Sequence, residues 1–341
     1  MKKLLSFVVL VFIVSVVSAQ ELFPTTEPAS NVPKGAIGAR LLDEGYPEAG
    51  LVRNITGLRL MYGLTSKLSV YATATWSDYH EKTLPFDFVT HNHIGTNVSG
   101  SANTPQQGIP YPYVFNSIDV YAKYRFVTVD GQNTHFRMAV YGEGSYVAVP
   151  SHEAEPDLLI HTPGFGAGLI STYLVKHFAV SFTTGFIIPS EYKGNAYDKF
   201  GGIYPTTIQY GNAVRYDLSF GYLLFPRKYT NYQQTNWNVY CEFIGKSYAA
   251  ATATQLDGPP SPLLPDPEVI KISNSTPILR AGNYVDINPG LQCILNSTYR
   301  IDVSLEFPLI NRSYDHLYPL YQLGIQRYFF PFKKHKSIKN D

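Results

Sequence analysis

Charge is scarce in this chain: Asp, Glu, Lys and Arg supply 16% of its residues, against ~25% in ordinary soluble domains. What charge there is nearly cancels, leaving a net +1, which gives no electrostatic footprint for nucleic acid or an acidic partner. Cysteine is almost missing. Cys241 and Cys293 are too few for a small secreted domain stapled by disulfides. Beyond the first twenty residues no apolar run reaches the ~20 residues that a membrane-spanning helix needs, and no stretch shows convincing amphipathic helical periodicity. What the chain has instead is tyrosine, at 27 positions, and alternation.

The first residues read MKKLLSFVVLVFIVSVVSAQE. Lys2 and Lys3 form a basic n-region, Leu4 to Val17 an apolar run, and Val17-Ser18-Ala19 a small-residue cleavage site, the pattern of a Sec-type signal peptide over 1–19. The run is too short for a membrane helix, and no cysteine follows to carry a lipid anchor. Residues 20–34, with Pro24, Pro28 and Pro33, read as a periplasmic lead-in within reach of the interior of whatever follows. The expected division is then 35–330 as one β-domain and 331–341, with Lys333, Lys334 and Lys336, as a polar periplasmic tail.

Alternation marks twelve segments, near 35–42, 53–64, 67–78, 116–127, 134–149, 164–175, 177–188, 213–225, 235–248, 282–295, 298–308 and 320–330. In YRIDVSLEF, Tyr299, Ile301, Val303, Leu305 and Phe307 are apolar, while Arg300, Asp302, Ser304 and Glu306 are polar. Successive side chains of a strand face opposite ways, so such a segment has one oily and one wet side. The segment at 164–175 is Gly-rich and ambiguous in phase. A soluble sandwich would bury the oily side; an outer-membrane barrel would turn it to lipid.

Connections decide between them. LTSK, VDGQN, VK, PRKYTNYQQ and NS follow segments two, four, six, eight and ten, while longer connections follow three, five, seven, nine and eleven. Short periplasmic turns alternating with long external loops, an even strand count and strands of ~9–11 residues belong to a transmembrane barrel. Closure is required because lipid offers no hydrogen-bond partners to a sheet edge. Trp76 and Trp237 fall on the apolar face at opposite ends, where interface aromatics belong. The last strand, YQLGIQRYFF, ends in aromatics, as a signal for barrel-assembly machinery does. The expected protein is an all-β, antiparallel up-and-down barrel of the bacterial outer membrane, in contact with lipid and lipopolysaccharide.

GLRLMYGLTSKLSVYATATW, GFGAGLISTYLVKHFAVSFTTGFIIP, GYLLFPRKY and NVYCEFIG resemble the outer-membrane barrel family named after the meta-pathway of phenol degradation. The likeness lies in strand–turn–strand texture over most of the mature chain. It implies a channel or transporter for small, often aromatic or apolar compounds, and it brings no catalytic set.

The polar phase lists the expected lumen: Arg59, Lys123, Arg125, Arg137, Arg215 and Arg300, with Asp119, Glu143, Asp217, Glu242, Asp286, Asp302 and Glu306. With Arg40 and Lys246 the signs nearly balance, and the ordinary expectation is pairing across neighbouring strands. A sharper one is a constriction built by Arg125, Arg137 and Arg215 that selects solutes. A lipid-processing enzyme would need a nucleophile and base at the outer boundary; no His on a lipid-facing strand position lies two residues from a Ser, so the expectation is no enzyme and no cofactor. A structural or adhesive barrel acting through its loops is the other alternative. His91 and His93 lack a nearby Asp, Glu or Cys at ligand spacing, so no metal is expected there. Cys241 and Cys293 share the lipid face of adjacent strands, where a cross-strand disulfide depends on register. The loop at 79–115 either folds inward as a partial plug or covers the outer mouth.

Overall fold

The computed structural model describes residues 23–48, 51–79, 84–85, 111–197, 202–228, 234–256, 269–272, 277–314, 316 and 319–331. The expected signal peptide, residues 86–110 with His91 and His93, and the polar tail from 332 lie outside the described residues.

The strands are β1 (Ile37–Glu48), β2 (Leu51–Gly63), β3 (Leu68–Ser77), β4 (Leu84–Pro85), β5 (Val114–Asp130), β6 (Thr134–Val147), β7 (Gly164–Val175), β8 (Phe178–Pro189) and β9 (Tyr192–Tyr197). There follow β10 (Ile203–Gln209), β11 (Ala213–Phe225), β12 (Asn236–Tyr248), β13 (Thr252–Leu256), β14 (Val269–Ile272), β15 (Gly282–Leu295), β16 (Tyr299–Arg312) and β17 (Leu320–Phe329). Twelve of these, β1, β2, β3, β5, β6, β7, β8, β11, β12, β15, β16 and β17, form a closed antiparallel barrel sealed by β1 against β17. Each expected segment is one of them.

The remaining five come from the long connections and pair in the order β14-β13-β10-β9-β4. The composition of 189–212 and 249–281 reads as irregular loop, yet short stretches such as IYPTTIQ and TATQL carry enough Ile, Tyr and Thr to pair when brought together.

Burial is inverted relative to a soluble protein. In β16, Arg300, Asp302, Ser304 and Glu306 are 2–7% exposed, whereas Tyr299, Ile301, Val303, Leu305 and Phe307 are 37–52% exposed. The oily phase therefore faces out and the charged phase in, as lipid outside and a polar lumen inside require. Trp76 packs edge-on against Phe115, ring centroids 6.0 Å apart, at the long-loop end, and Trp237 stands exposed at the short-turn end. At the β15–β16 turn, Asn296 and Ser297 both take positive φ (51° and 53°), the geometry of a tight hairpin matched to strand twist.

Tyrosine and glycine fit together across strands. Tyr141 lies over Gly168, Tyr240 over Gly290, Tyr248 over Gly282, Tyr328 over Gly38 and Tyr216 over Gly245, each a register pair. A Cβ on Gly290 would sit 2.3 Å from the Tyr240 ring, and one on Gly245 2.2 Å from Tyr216. Glycine removes the obstacle and the ring restores the lost contact area. The same device explains the ambiguous 164–175 segment: Gly166 and Gly168 face the lumen, and Glu143 and Tyr141 from β6 fill the space above them.

Register also answers the cysteine question. Cys241 opposes Pro289 and Cys293 opposes Trp237, so the two are four residues out of step, ~13 Å along the strands. A disulfide needs Cα atoms within ~7 Å, and both cysteines are free.

Candidate functional site

The lumen is entered from both ends by chain that is not part of the barrel wall. At the short-turn end, residues 23–34 run inside it. Phe23 buries against Ala179 and Tyr240. The Thr26 amide (2.9 Å) and hydroxyl (2.8 Å) donate to Oε1 of Glu242, and the Thr25 amide donates to its Oε2 at 3.3 Å. Glu27 then crosses to the opposite wall, accepting from Arg59 at 2.7 Å and Lys123 at 3.2 Å. Lys123 also donates to the Pro28 carbonyl at 2.7 Å, and Arg40 to the Pro24 carbonyl at 3.0 Å. Amides of Ala29 and Val32 donate to Thr172 and Ser69, and Arg137 reaches the Ser30 hydroxyl at 3.2 Å. Three prolines keep the segment extended, so its amides are free to bond side chains of the wall.

At the other end the connection between β6 and β7, residues 148–163, folds inward. The backbone carbonyls of Ile160 and Leu159 accept from Asn116 and Ser117, and the Ser151 carbonyl accepts from Tyr210 at 2.5 Å. At its centre, Glu155 takes Lys246 at 2.7 Å, the Tyr284 hydroxyl at 2.9 Å and Nε2 of His316 at 2.9 Å. The other ring nitrogen of His316 meets Asp286 at 2.5 Å. Burial alone would lower the His316 imidazole, but Glu155 and Asp286 together hold it well above the ordinary histidine range. Beside them, Gln322 bridges Glu306 (3.0 Å) and Glu44 (2.9 Å).

The expected lumen residues are distributed over this arrangement. Arg59, Lys123, Arg137 and Glu242 hold the N-terminal segment, while Asp286 and Glu306 lie by the inward connection. Asp302 gathers Arg300 at 2.7 Å and Arg40 at 3.6 Å, the second pair spanning over Gly324 of β17. Between the two inserts lie Asp119, Glu143 and the Arg215–Asp217 pair at 2.5 Å. A stack of tyrosines runs round the wall there: Tyr71–Tyr121 at 5.4 Å and Tyr121–Tyr141 at 5.1 Å, nearly parallel.

Two expectations change. Arg125, Arg137 and Arg215 do not form one constriction. Arg125 donates to the Ser66 carbonyl in the β2–β3 turn and Arg137 lies near Asp130 (3.6 Å), both at the short-turn rim, whereas Arg215 belongs to the deeper layer with Asp217. Nor do the charges chiefly pair between neighbouring strands. Arg59, Lys123 and Lys246 pair with the inserted segments, and Arg215 and Arg300 pair two residues along their own strands. The inserts bring carboxylates to these long cations. Glu27, Glu155 and His316 were not among the expected residues. The one available signal was an acidic residue set among Pro24, Pro28 and Pro33.

Taken together, the closed inverted barrel with its polar, internally restricted lumen is the fold of an outer-membrane β-barrel protein. No family model matches the chain, the meta-pathway barrel family included, and no curated protein matches it. Among solved structures, an outer membrane channel from Pseudomonas putida F1 covers 91% of this chain and 100% of its own, at 12% identity and a TM-score of 0.50. The beta domain of the Bordetella autotransporter BrkA covers 87% and 100%, at 13% identity and a TM-score of 0.40. The Pseudomonas putida toluene transporter TodX covers 86% and 87%, at 11% identity and a TM-score of 0.30. The first supports the fold; the other two are looser likenesses.

Proposed function

We propose that this chain is a channel of the bacterial outer membrane for small solutes, restricted by residues 23–34 from the periplasmic side and by the β6–β7 connection from outside. One observation carries the reading: beside the apolar packing of Phe23, Val32 and Leu158, both inserts are tied to the wall by many hydrogen bonds and ion pairs. Water can replace such contacts when a segment moves, at a net cost of only ~0.5–1.5 kcal/mol for each neutral hydrogen bond. The solute we infer is a small, aromatic or apolar molecule, because the Tyr71–Tyr121–Tyr141 stack, buried in one apolar cluster with Ala29 and Val32 of the N-terminal insert, would gain free aromatic faces when that insert moves. The proposal includes export by the N-terminal signal, insertion by barrel-assembly machinery, and lipid and lipopolysaccharide around the outer face.

Single-channel recording in planar bilayers tests it. The refolded barrel is expected to conduct in small or brief steps, and a variant lacking residues 23–31 in larger ones. Absence of conductance in both, with folding verified by heat-modifiable gel mobility, would overturn the channel reading.

A further inference from the structure

His316 stands between two carboxylates with both ring nitrogens engaged. Nδ1 faces Asp286 at 2.5 Å and Nε2 faces Glu155 at 2.9 Å. Glu306 completes a group in which one ligand atom each from Asp286, Glu306 and His316 lies within 4.8 Å of the others. Asp286 is buried, its second oxygen accepts from no N–H or hydroxyl donor, and Glu306 is its carboxyl neighbour. The Tyr284 ring stacks on the imidazole at 3.4 Å and fixes its plane. Carboxyl groups outnumber cations here: Glu44, Glu155, Asp157, Asp286 and Glu306 lie around Lys246 and His316, and the nearby Arg215 is taken by Asp217.

We propose that Asp286, Glu306 and Nδ1 of His316 bind a divalent transition-metal cation of the zinc class. One imidazole and two carboxylates are a donor set that suits such an ion. The unpartnered Asp286 oxygen supplies a lone pair already stripped of water. Glu155 then serves as the outer carboxylate on Nε2, which sets the tautomer and makes Nδ1 a better donor, the arrangement that usually supports a metal-bound histidine. Ion entry displaces the Nδ1 proton, which is released to water, leaves the Nε2 proton in its hydrogen bond to Glu155 and widens the His316–Asp286 contact to about 3.4 Å, the separation of two ligands on a tetrahedral zinc. His316 comes from the β16–β17 connection, Asp286 from β15 and Glu306 from β16, so the ion would join three elements at the outer mouth. Through Glu155 it would also hold the β6–β7 connection inside the lumen.

Zinc titration of the refolded full chain by calorimetry tests the site directly. Wild type is expected to bind one Zn2+ per barrel, His316→Ala and Glu306→Gln to weaken binding at least tenfold, and Glu155→Gln to weaken it about tenfold or more with unchanged stoichiometry. X-ray absorption of the zinc-loaded wild type needs no variant; one imidazole and oxygen ligands are expected. No binding, binding unaltered in the His316→Ala/Glu306→Gln double variant, or a shell of several imidazoles would each overturn the site. The conductance arm rests on the channel reading: Zn2+ should reduce open probability in wild type and leave His316→Ala unaffected. Binding without any conductance would leave the metal site standing and count against the channel.

Discussion

Lys123 and Glu27 meet at 3.2 Å inside the barrel, the lysine fully buried on β5 and the glutamate carried in by the N-terminal segment. Arg59 reaches the same carboxylate at 2.7 Å, so one negative charge answers two positive ones on the wall. Glu27→Gln leaves both cations facing a neutral amide. The segment should lose about 1.5–3 kcal/mol of attachment, the range for hydrogen bonds to charged groups. Its expected mark is faster amide exchange confined to residues 25–32 in detergent, with the strands unchanged. Exchange left as in wild type would show that the segment is held elsewhere.

How far the sequence reaches is visible in this same pair. The phase of Ile118, Val120 and Ala122 alone places Lys123 in the lumen, because a strand repeats every two residues and lipid makes the repeat strict. Glu27 has no such repeat around it. Residues 20–34 obey no period, and which wall they touch is fixed by tertiary contacts that a local pattern does not record. Glu155 and His316 were hidden for the same reason, both lying in connections. The five-stranded outer sheet escaped because strands of two to seven residues carry too few alternations to stand out from a loop.

Lipid-facing phase gives a sharper test. Val303 is half-exposed midway along β16, between Leu291 and, across the other strand, Leu323, both exposed. Val303→Arg should cost about 2–4 kcal/mol if that position meets the bilayer midplane, while Val303→Phe should be tolerated. Folding yield by heat-modifiable mobility separates them. The neighbouring Ser304 is no roomy control, being buried and bonded to Gln322.

Gly290 carries a packing prediction. Its missing Cβ is where the Tyr240 ring rests, and that hydroxyl donates to the Val303 carbonyl at 3.3 Å. Gly290→Ala forces the ring away and should destabilise the barrel by about 1–3 kcal/mol, as overpacking does. Adding Tyr240→Leu should recover part of the loss, because the clash disappears with the ring. Urea midpoints of the single and double variants measure the coupling; equal losses for Gly290→Ala with and without Tyr240 would refute the fit.

Two restrictions in one lumen act as resistances in series, and this sets the last expectation. Glu27→Gln loosens the periplasmic insert, and Glu155→Gln frees the outer one from Lys246, Tyr284 and His316. The two glutamates share no partner in these contacts, so each change acts on its own insert. Opening either alone leaves the other in the current path, and conductance should rise only modestly. Opening both removes the remaining resistance, so the increase in the double variant should exceed the sum of the two single increases. Planar-bilayer recordings of the four proteins under one salt condition decide it. A double variant no more conductive than the better single would mean that one insert alone limits the current, and the wild-type restriction would then be assigned to the end whose variant produced the rise.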